Sequence, residues 1–465
     1  MTTASTSRGV LDQAVPGRPD DRDPSNGRAL VVHPDIRRGP SVTTRQPHAR
    51  LAEAVGLAEA IDLIVVYSDV ARIAAVNPKT LLGGGIVERL AGVVHDQEIG
   101  IAIVDGDLTP VQQRNLERAL GCKVIDRTGL ILEIFGARAR TKEGKLQVEL
   151  AALSYQRSRL VRSWTHLERQ RGGYGFMGGP GERQIEMDRR LIDDRITRLK
   201  RDLAEVKKTR EMHRKHRERT PYPIVALVGY TNAGKSTLFN RLTHSHVLEH
   251  DMLFATLDPT MRHVHLPQGQ DVILSDTVGF ISDLPTQLIA AFHATLEEVL
   301  EADVVVHVRD IAHPDTDAQR DDVEAVLREL GLRESVDAGL IEAWNKTDLL
   351  EGEHAETVRS RAAREPDAVL CAAATGEGTA DLVAKIEARL TSDFRSLAVR
   401  VPHEAGKALA WLYDRGHVLS RRDDDAAAEL RVSLAPADIA RFRDRYGANT
   451  EILSAPTIQA DPVAG

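Results

Sequence analysis

The chain has 465 residues, 42% hydrophobic and 28% charged, a globular make-up too long for one ordinary core and long enough for roughly three domains. It contains no run of about 18 apolar residues, which argues against a membrane-inserted helix, and its two cysteines, Cys122 and Cys371, form no C-x-x-C pair, which argues against a disulfide framework or a Cys-based zinc site. The net charge of −8 is unevenly spread: between Arg157 and Arg219 stand 19 Lys or Arg against 10 Asp or Glu, a local +9 that leaves −17 on the remainder.

Residues 1–50 are rich in Pro, Gly, Arg and Asp and lack the apolar core of a signal peptide, so a disordered extension on a cytoplasmic protein is expected. Residues 51–145 read as an α/β domain, with strands at 63–67, 101–104 and 130–135 and a helix over 109–120. The Gly83-Gly84-Gly85 run lacks the spacing of a dinucleotide site and reads as a loop. Over residues 146–220 the period changes. Leu146, Leu150, Leu153, Leu160, Trp164 and Leu167 fall on one heptad grid, and Ile192, Ile196, Leu199, Leu203 and Val206 on another. Two such helices joined by one loop pack as an antiparallel hairpin, here an arm on the order of 30 Å long. Its glycine-rich connection, 172–181, carries Tyr174, Phe176 and Met177 and reads either as a flexible linker or as a contact tip on a basic stalk. A linker is expected over 213–220; His213 and His216 there have no neighbouring Cys and read as solvated helix residues.

Residues 221–392 alternate strand and helix, which implies a parallel sheet with helices on both faces. Residues 393–465 form a small domain with a strand over 429–434 and a helix over 436–445, and carry no evident chemistry. The expected architecture is therefore α/β: a central domain with a parallel-type sheet, preceded by an α/β N-terminal domain with a long helical hairpin and followed by a small α/β C-terminal domain.

Gly229, Tyr230, Thr231, Asn232, Ala233, Gly234, Lys235 and Ser236, followed by Thr237, match G-x-x-x-x-G-K-[ST] between an apolar strand and a helix. Such a loop turns backbone N–H groups onto phosphates at a helix N-terminus. Lys235 is placed to reach the β- and γ-phosphates and Ser236 to bind Mg²⁺. About forty residues on, Asp276-Thr277-Val278-Gly279 follows a second strand; the Asp can hold Mg²⁺ through water and the Gly279 amide can sense a γ-phosphate. Asn345-Lys346-Thr347-Asp348 ends another strand. The Asp348 carboxylate accepts from N1–H and the exocyclic amine of guanine, which adenine cannot supply, and Lys346 can pack its stem over the base. Between the first two motifs lie Phe254, Ala255, Thr256, Leu257 and Asp258, the expected switch I. Thr256 or Thr260 could bring a hydroxyl to Mg²⁺, and spacing does not choose between them. The central domain is thus expected to be a P-loop GTPase domain, with GTP and GDP as its ligands and Lys235, Thr256 and Gly279 as the residues serving hydrolysis.

Taken with Gly129–Gly136 and Arg138-Ala139-Arg140, Gly178–Glu182 running into Asp188-Arg189-Arg190, Phe254–Thr260, and Asp276–Pro285 with Thr295–Glu298, these residues resemble the HflX family of GTPases, in the translation-factor-related branch. The resemblance spans roughly residues 63–434. It implies a cytoplasmic, monomeric GTPase that binds the large ribosomal subunit, including its RNA, and separates stalled ribosomes. It assigns Mg²⁺ to Ser236 and Thr256, and the last guanine-contacting element, usually Ser-Ala, to Ala372-Ala373, where the hydroxyl is lost and a backbone N–H remains. Phe280 stands where a Ras-like protein has the Gln that orients water. Other readings are a GTP-regulated RNA-binding or protein-binding switch that does not act on ribosomes; with 4% aromatic residues an extended base-stacking surface is disfavoured.

Overall fold

The computed structural model describes residues 27–36, 46–170, 180–217, 222–244, 253–254, 260–267, 269–282, 299–337, 339–392, 394–453 and 457–458. The first sheet is built from β1 (Arg28–Ile36), β2 (Ile64–Ile73), β3 (Ile101–Val104) and β4 (Lys123–Asp126), in the order β2-β1-β3-β4 and parallel throughout. Helices α1 (Pro47–Glu59), α2 (Gly84–Asp96), α3 (Pro110–Leu120) and α4 (Arg127–Arg138) cover its two faces. Leu30 and Val32 point to the face of α2 and α3, whereas Ala29 and Val31 point to that of α1 and α4, the alternation that a strand requires.

Three sequence expectations fail in this domain. Strand β1 lies inside the stretch expected to be disordered, and it is central, pairing with β2 and β3; the Ala29–Val32 run is fully buried, and the polar residues around it masked a strand signal. The strand expected over 130–135 is helix α4. A short apolar run does not distinguish a strand from a fully buried helix. Here the cap decides: the Asp126 carboxylate accepts from Gly129 N–H at 2.8 Å, which starts the helix. Gly84 and Gly85, expected in a loop, open α2 with Gly83 as its N-cap. By contrast α3 begins with a reciprocal capping box, Gln112 N–H to Thr109 Oγ1 at 3.2 Å and Thr109 N–H to Gln112 Oε1 at 2.9 Å.

Helices α5 (Lys142–Gln170) and α6 (Pro180–Arg217) form the hairpin. Ion pairs cross it from Arg195 to Glu149 (2.8 Å) and from Arg157 to Asp193 (2.9 Å). The base of α5 also buries a second face, Val148 and Ala151, on the N-terminal domain. There Tyr155 donates to Asp126 at 2.7 Å and Arg159 pairs with the same carboxylate at 2.9 Å. Helix α6 continues to Arg217, so residues 213–217, expected in a linker, are helical. The tip residues Tyr174, Phe176 and Met177 lie outside the described residues.

The second sheet holds β5 (Ile224–Gly229), β6 (Thr260–His265), β7 (Asp271–Asp276), β8 (Val304–Asp310), β9 (Ile341–Asn345) and β10 (Ala368–Leu370) in the order β10-β9-β8-β5-β7-β6. It is parallel except for the edge strand β6, which runs antiparallel to β7 and was not expected. Helices α7 (Lys235–Thr243), α8 (Thr316–Glu329), α9 (Gly352–Ala362) and α10 (Thr379–Thr391) belong to this domain. A third, antiparallel sheet follows: β11 (Arg395–Pro402), β12 (His417–Asp423), β13 (Ala427–Leu434), β14 (Glu451–Ile452) and β15 (Thr457–Ile458). Helices α11 (Gly406–Arg415) and α12 (Pro436–Tyr446) pack on it, with Leu412 and Phe442 in its core. No helix among the described residues is long and apolar enough to cross a membrane.

The apolar core does not stop at the domain boundary. One cluster of buried residues runs from Leu57, Ile131 and Phe135 of the N-terminal domain into Phe254, Val278, Phe280 and Ile281 of the central one. That continuity fixes the N-terminal domain against the loops that follow β5 and β7.

Candidate functional site

The carboxyl ends of parallel strands are where an open α/β sheet binds ligands, and the motifs collect there. Loop 229–234 follows β5 and leads into α7. Gly234 has φ +89°, and a Cβ on it would stand 2.2 Å from Asn345 Nδ2, so glycine is required. Lys235 is buried, and its Nζ donates to Gly229 O (3.2 Å) and Tyr230 O (2.8 Å). Burial pushes this ammonium down to about 8, with only partial opposition from the Asp276 charge. Ser236 Oγ donates to Asp276 Oδ2 at 2.8 Å, joining the first motif to the second. Thr277 Oγ1 ties the second motif back to Leu227 O at 2.7 Å. At Gly279 a Cβ would lie 2.9 Å from Thr231 Cα and 3.1 Å from Lys235 Nζ; only glycine allows this approach.

The third motif works partly as a brace. Asn345 Nδ2 donates to Ala233 O (2.8 Å), and Asn345 Oδ1 accepts from Ala373 N–H (2.9 Å). One buried side chain therefore sets the phosphate loop against the last loop. Thr347 Oγ1 donates to Cys371 O at 3.0 Å. Lys346, in a left-handed conformation at φ 65°, holds its Nζ 2.9 Å from Asp310 Oδ2. Asp348 stands exposed on the 3-10 turn Thr347–Leu349. In the element Ala372-Ala373, expected to offer a backbone N–H to the guanine carbonyl, Ala373 N–H donates to Asn345 and Ala372 N–H donates to Glu377 O at 2.9 Å. Both residues build the loop. Arg241 of α7 clamps it further through Ala373 O (3.1 Å) and Ala374 O, a role the sequence did not signal. Burial pushes the Cys371 thiol beneath this loop up to about 12, so it is no nucleophile.

The ring of Phe254 is buried edge-on against Phe135, centroids 4.7 Å apart, and so is anchored to the N-terminal domain. Ala255, Thr256, Leu257 and Asp258 lie outside the described residues. Thr260, the competing hydroxyl, opens β6 opposite Asp276. A cavity of about 410 Å³ lies between α1 and the phosphate loop, lined by residues that include Arg50, Glu53, Tyr230, Thr231 and Asn232.

The donor set fits a phosphate chain. The Thr231 hydroxyl is buried without a hydrogen-bond partner, a buried ammonium faces the same loop, and a helix N-terminus closes it. Fold and site together define a P-loop GTP-binding protein.

Comparison with known proteins places it further. Four family models match in order: "GTP-binding GTPase N-terminal" over residues 48–136, "GTP-binding GTPase Middle Region" over 138–217, "50S ribosome-binding GTPase" over 224–346 and "HflX C-terminal domain" over 357–453. The GTPase HflX of Magnetococcus marinus is 48% identical over 404 residues, covering 87% of this chain and 92% of its own. That of Escherichia coli K12 is 39% identical over 423 residues, covering 91% and 97%. Among solved structures, a GTP-binding protein of Sulfolobus solfataricus in complex with GDP shares 23% identity and a TM-score of 0.42, covering 78% of this chain and 99% of its own. The chain belongs to the HflX family of GTPases and is a GTP-hydrolysing enzyme.

Proposed function

We propose that this GTPase is a Mg²⁺-dependent switch that binds the large ribosomal subunit, including its RNA, and separates or rescues stalled ribosomes. In this reading Lys235 neutralises the β- and γ-phosphates, the Gly279 N–H meets the γ-phosphate, and Asp348 reads guanine. Ser236 and Thr256 would hold the metal, with Asp276 behind a water; Mg²⁺ neutralises charge that develops on the phosphates. Asn345, Arg241, Ala372 and Ala373 set the loops around the base. Phe280 carries no group to orient water, and its side chain is buried in the shared core. Intrinsic hydrolysis is therefore slow, and the ribosome supplies or orders what is missing.

One observation carries the ribosomal part: the +9 segment is a helical arm whose base is held by Asp126, next in sequence to the residue that contacts the nucleotide domain, Arg127. A basic arm of this kind suits an RNA surface. The matched central family model, described as a 50S ribosome-binding GTPase, supports the same partner. GTP turnover measured with and without purified large subunits tests the proposal. We expect stimulation of at least about tenfold, and co-sedimentation with a GTP analogue that weakens steeply with salt as phosphate contacts release counterions. Equal turnover and no sedimentation would defeat it.

A further inference from the structure

Beyond the catalytic motifs, residues 279–282 are held from two sides. On one side is the phosphate loop. Phe280 N–H donates to Gly229 O (3.0 Å), and Phe280 O accepts from Thr231 N–H (2.7 Å), forming a parallel bridge between Tyr230 and Phe280. On the other side is the N-terminal domain. Phe280 and Ile281 are 3% and 2% exposed in the core shared with Ile131, Phe135 and Phe254. Ser282 follows inside a buried polar network. Its N–H donates to Tyr230 Oη (2.8 Å) and its Oγ to Glu53 Oε1 (3.2 Å). Arg127 Nη2 donates to Ser282 O (3.1 Å) and Oγ (3.0 Å) and pairs with Glu53. Asp105 anchors Arg127 at 2.5 Å and accepts from His33 Nδ1 at 2.8 Å. Tyr230 Oη donates to Glu53 Oε2 at 2.5 Å. The second residue of the phosphate loop thus belongs to the same network as Ser282.

A carbonyl oxygen and a phosphate oxygen are both acceptors, and one amide N–H serves one of them well. GDP lacks the phosphate that would approach the end of the loop where Thr231 meets Phe280. We propose that the γ-phosphate and the Phe280 carbonyl compete for the Thr231 amide, and that Ser282, held by Glu53 and Arg127 of the N-terminal domain, sets the preference between GDP and GTP. Ser282 and Glu53 are then specificity-determining residues that touch no nucleotide. Binding of the γ-phosphate must unlatch 279–282, and the same movement reaches Arg127 and, through its neighbour Asp126, the base of the arm. The inference rests on the nucleotide-site assignment made above.

The test uses the full-length protein and its Ser282→Ala and Glu53→Gln variants. Dissociation constants for GDP and for a non-hydrolysable imido analogue of GTP are measured by calorimetry with Mg²⁺. We expect the wild type to bind GDP more tightly than the analogue. In each variant the ratio of analogue to GDP dissociation constants falls by about fivefold, the worth of one hydrogen bond, while the GDP constant changes by less than about twofold. Two substitutions on different elements guard against a fold defect in either one. An unchanged ratio in variants that still bind GDP would overturn the competition and leave the site assignment standing. Wild-type protein that binds neither nucleotide would overturn both.

Discussion

The N-terminal and central sheets end their strands in opposite ways. Both are built on parallel strands with helices on two faces, and both gather polar groups at the carboxyl ends. In the central sheet those ends hold glycine turns, a buried ammonium and a buried hydroxyl without a protein partner, an arrangement that awaits an anion. In the N-terminal sheet the corresponding ends hold Asp105 and Asp126, already matched by Arg127, Tyr155 and Arg159. The same crevice geometry makes a ligand site in one domain and a joint in the other. What separates them is whether the opposite charge comes from solution or from the chain.

The largest expected effect tests the ligand side. Asp348→Asn replaces an acceptor pair by a group that is partly a donor, so GTP preference over xanthosine triphosphate should fall by about 10⁴-fold or reverse. Competition binding with both nucleotides reads this, and an unchanged preference would remove Asp348 from the base site.

A second experiment sets one buried cation of each domain, Arg127 and Lys235, against the other. Arg127→Met strands Asp105 and Glu53 and should destabilise the protein by about 3–5 kcal/mol. Lys235→Met removes a cation that burial disfavours. It should leave nucleotide-free stability unchanged or raised while abolishing tight GTP binding. Denaturant unfolding of both variants without nucleotide measures the contrast, and comparable losses would erase the distinction between site and joint.

The smallest effect concerns acid. Burial pushes the Asp105 carboxyl up, but the charge of Arg127 and the hydrogen bond from His33 outweigh it and hold it at about 2, below its ordinary 3.8. A carboxylate depressed in the folded state adds stability above pH 3.8 and loses it as the pH falls towards 2. The loss amounts to about 2 kcal/mol. Unfolding curves between pH 5 and pH 2 should show it, and Asp105→Asn should flatten that part of the profile.

How much could be read in advance followed the range of the interactions. The phosphate loop, the D-x-x-G turn and the strands on either side are local patterns with fixed spacing, and they stand where the spacing placed them. So does α3, whose Thr109–Gln112 box is a four-residue signal. Two segments were misread because a few residues outweighed a longer pattern. Polar neighbours hid Ala29–Val32, and the cap at Asp126 made helix of an apolar run taken for strand. The packing of Phe254 was illegible for a different reason: its partner, Phe135, is more than a hundred residues away in sequence.

The sequence alone determined that this is a GTP-binding protein, because the phosphate-loop turn, the helix start and the Asn345–Asp348 run are each encoded within a few consecutive residues. Tertiary structure decided what surrounds the phosphate loop. Asn345 joins two loops, Phe280 lies over the phosphate loop, and Arg127 reaches Ser282 across 155 positions. Such contacts depend on which faces two sheets bury against each other, and burial of that kind leaves no mark in the spacing of residues along the chain.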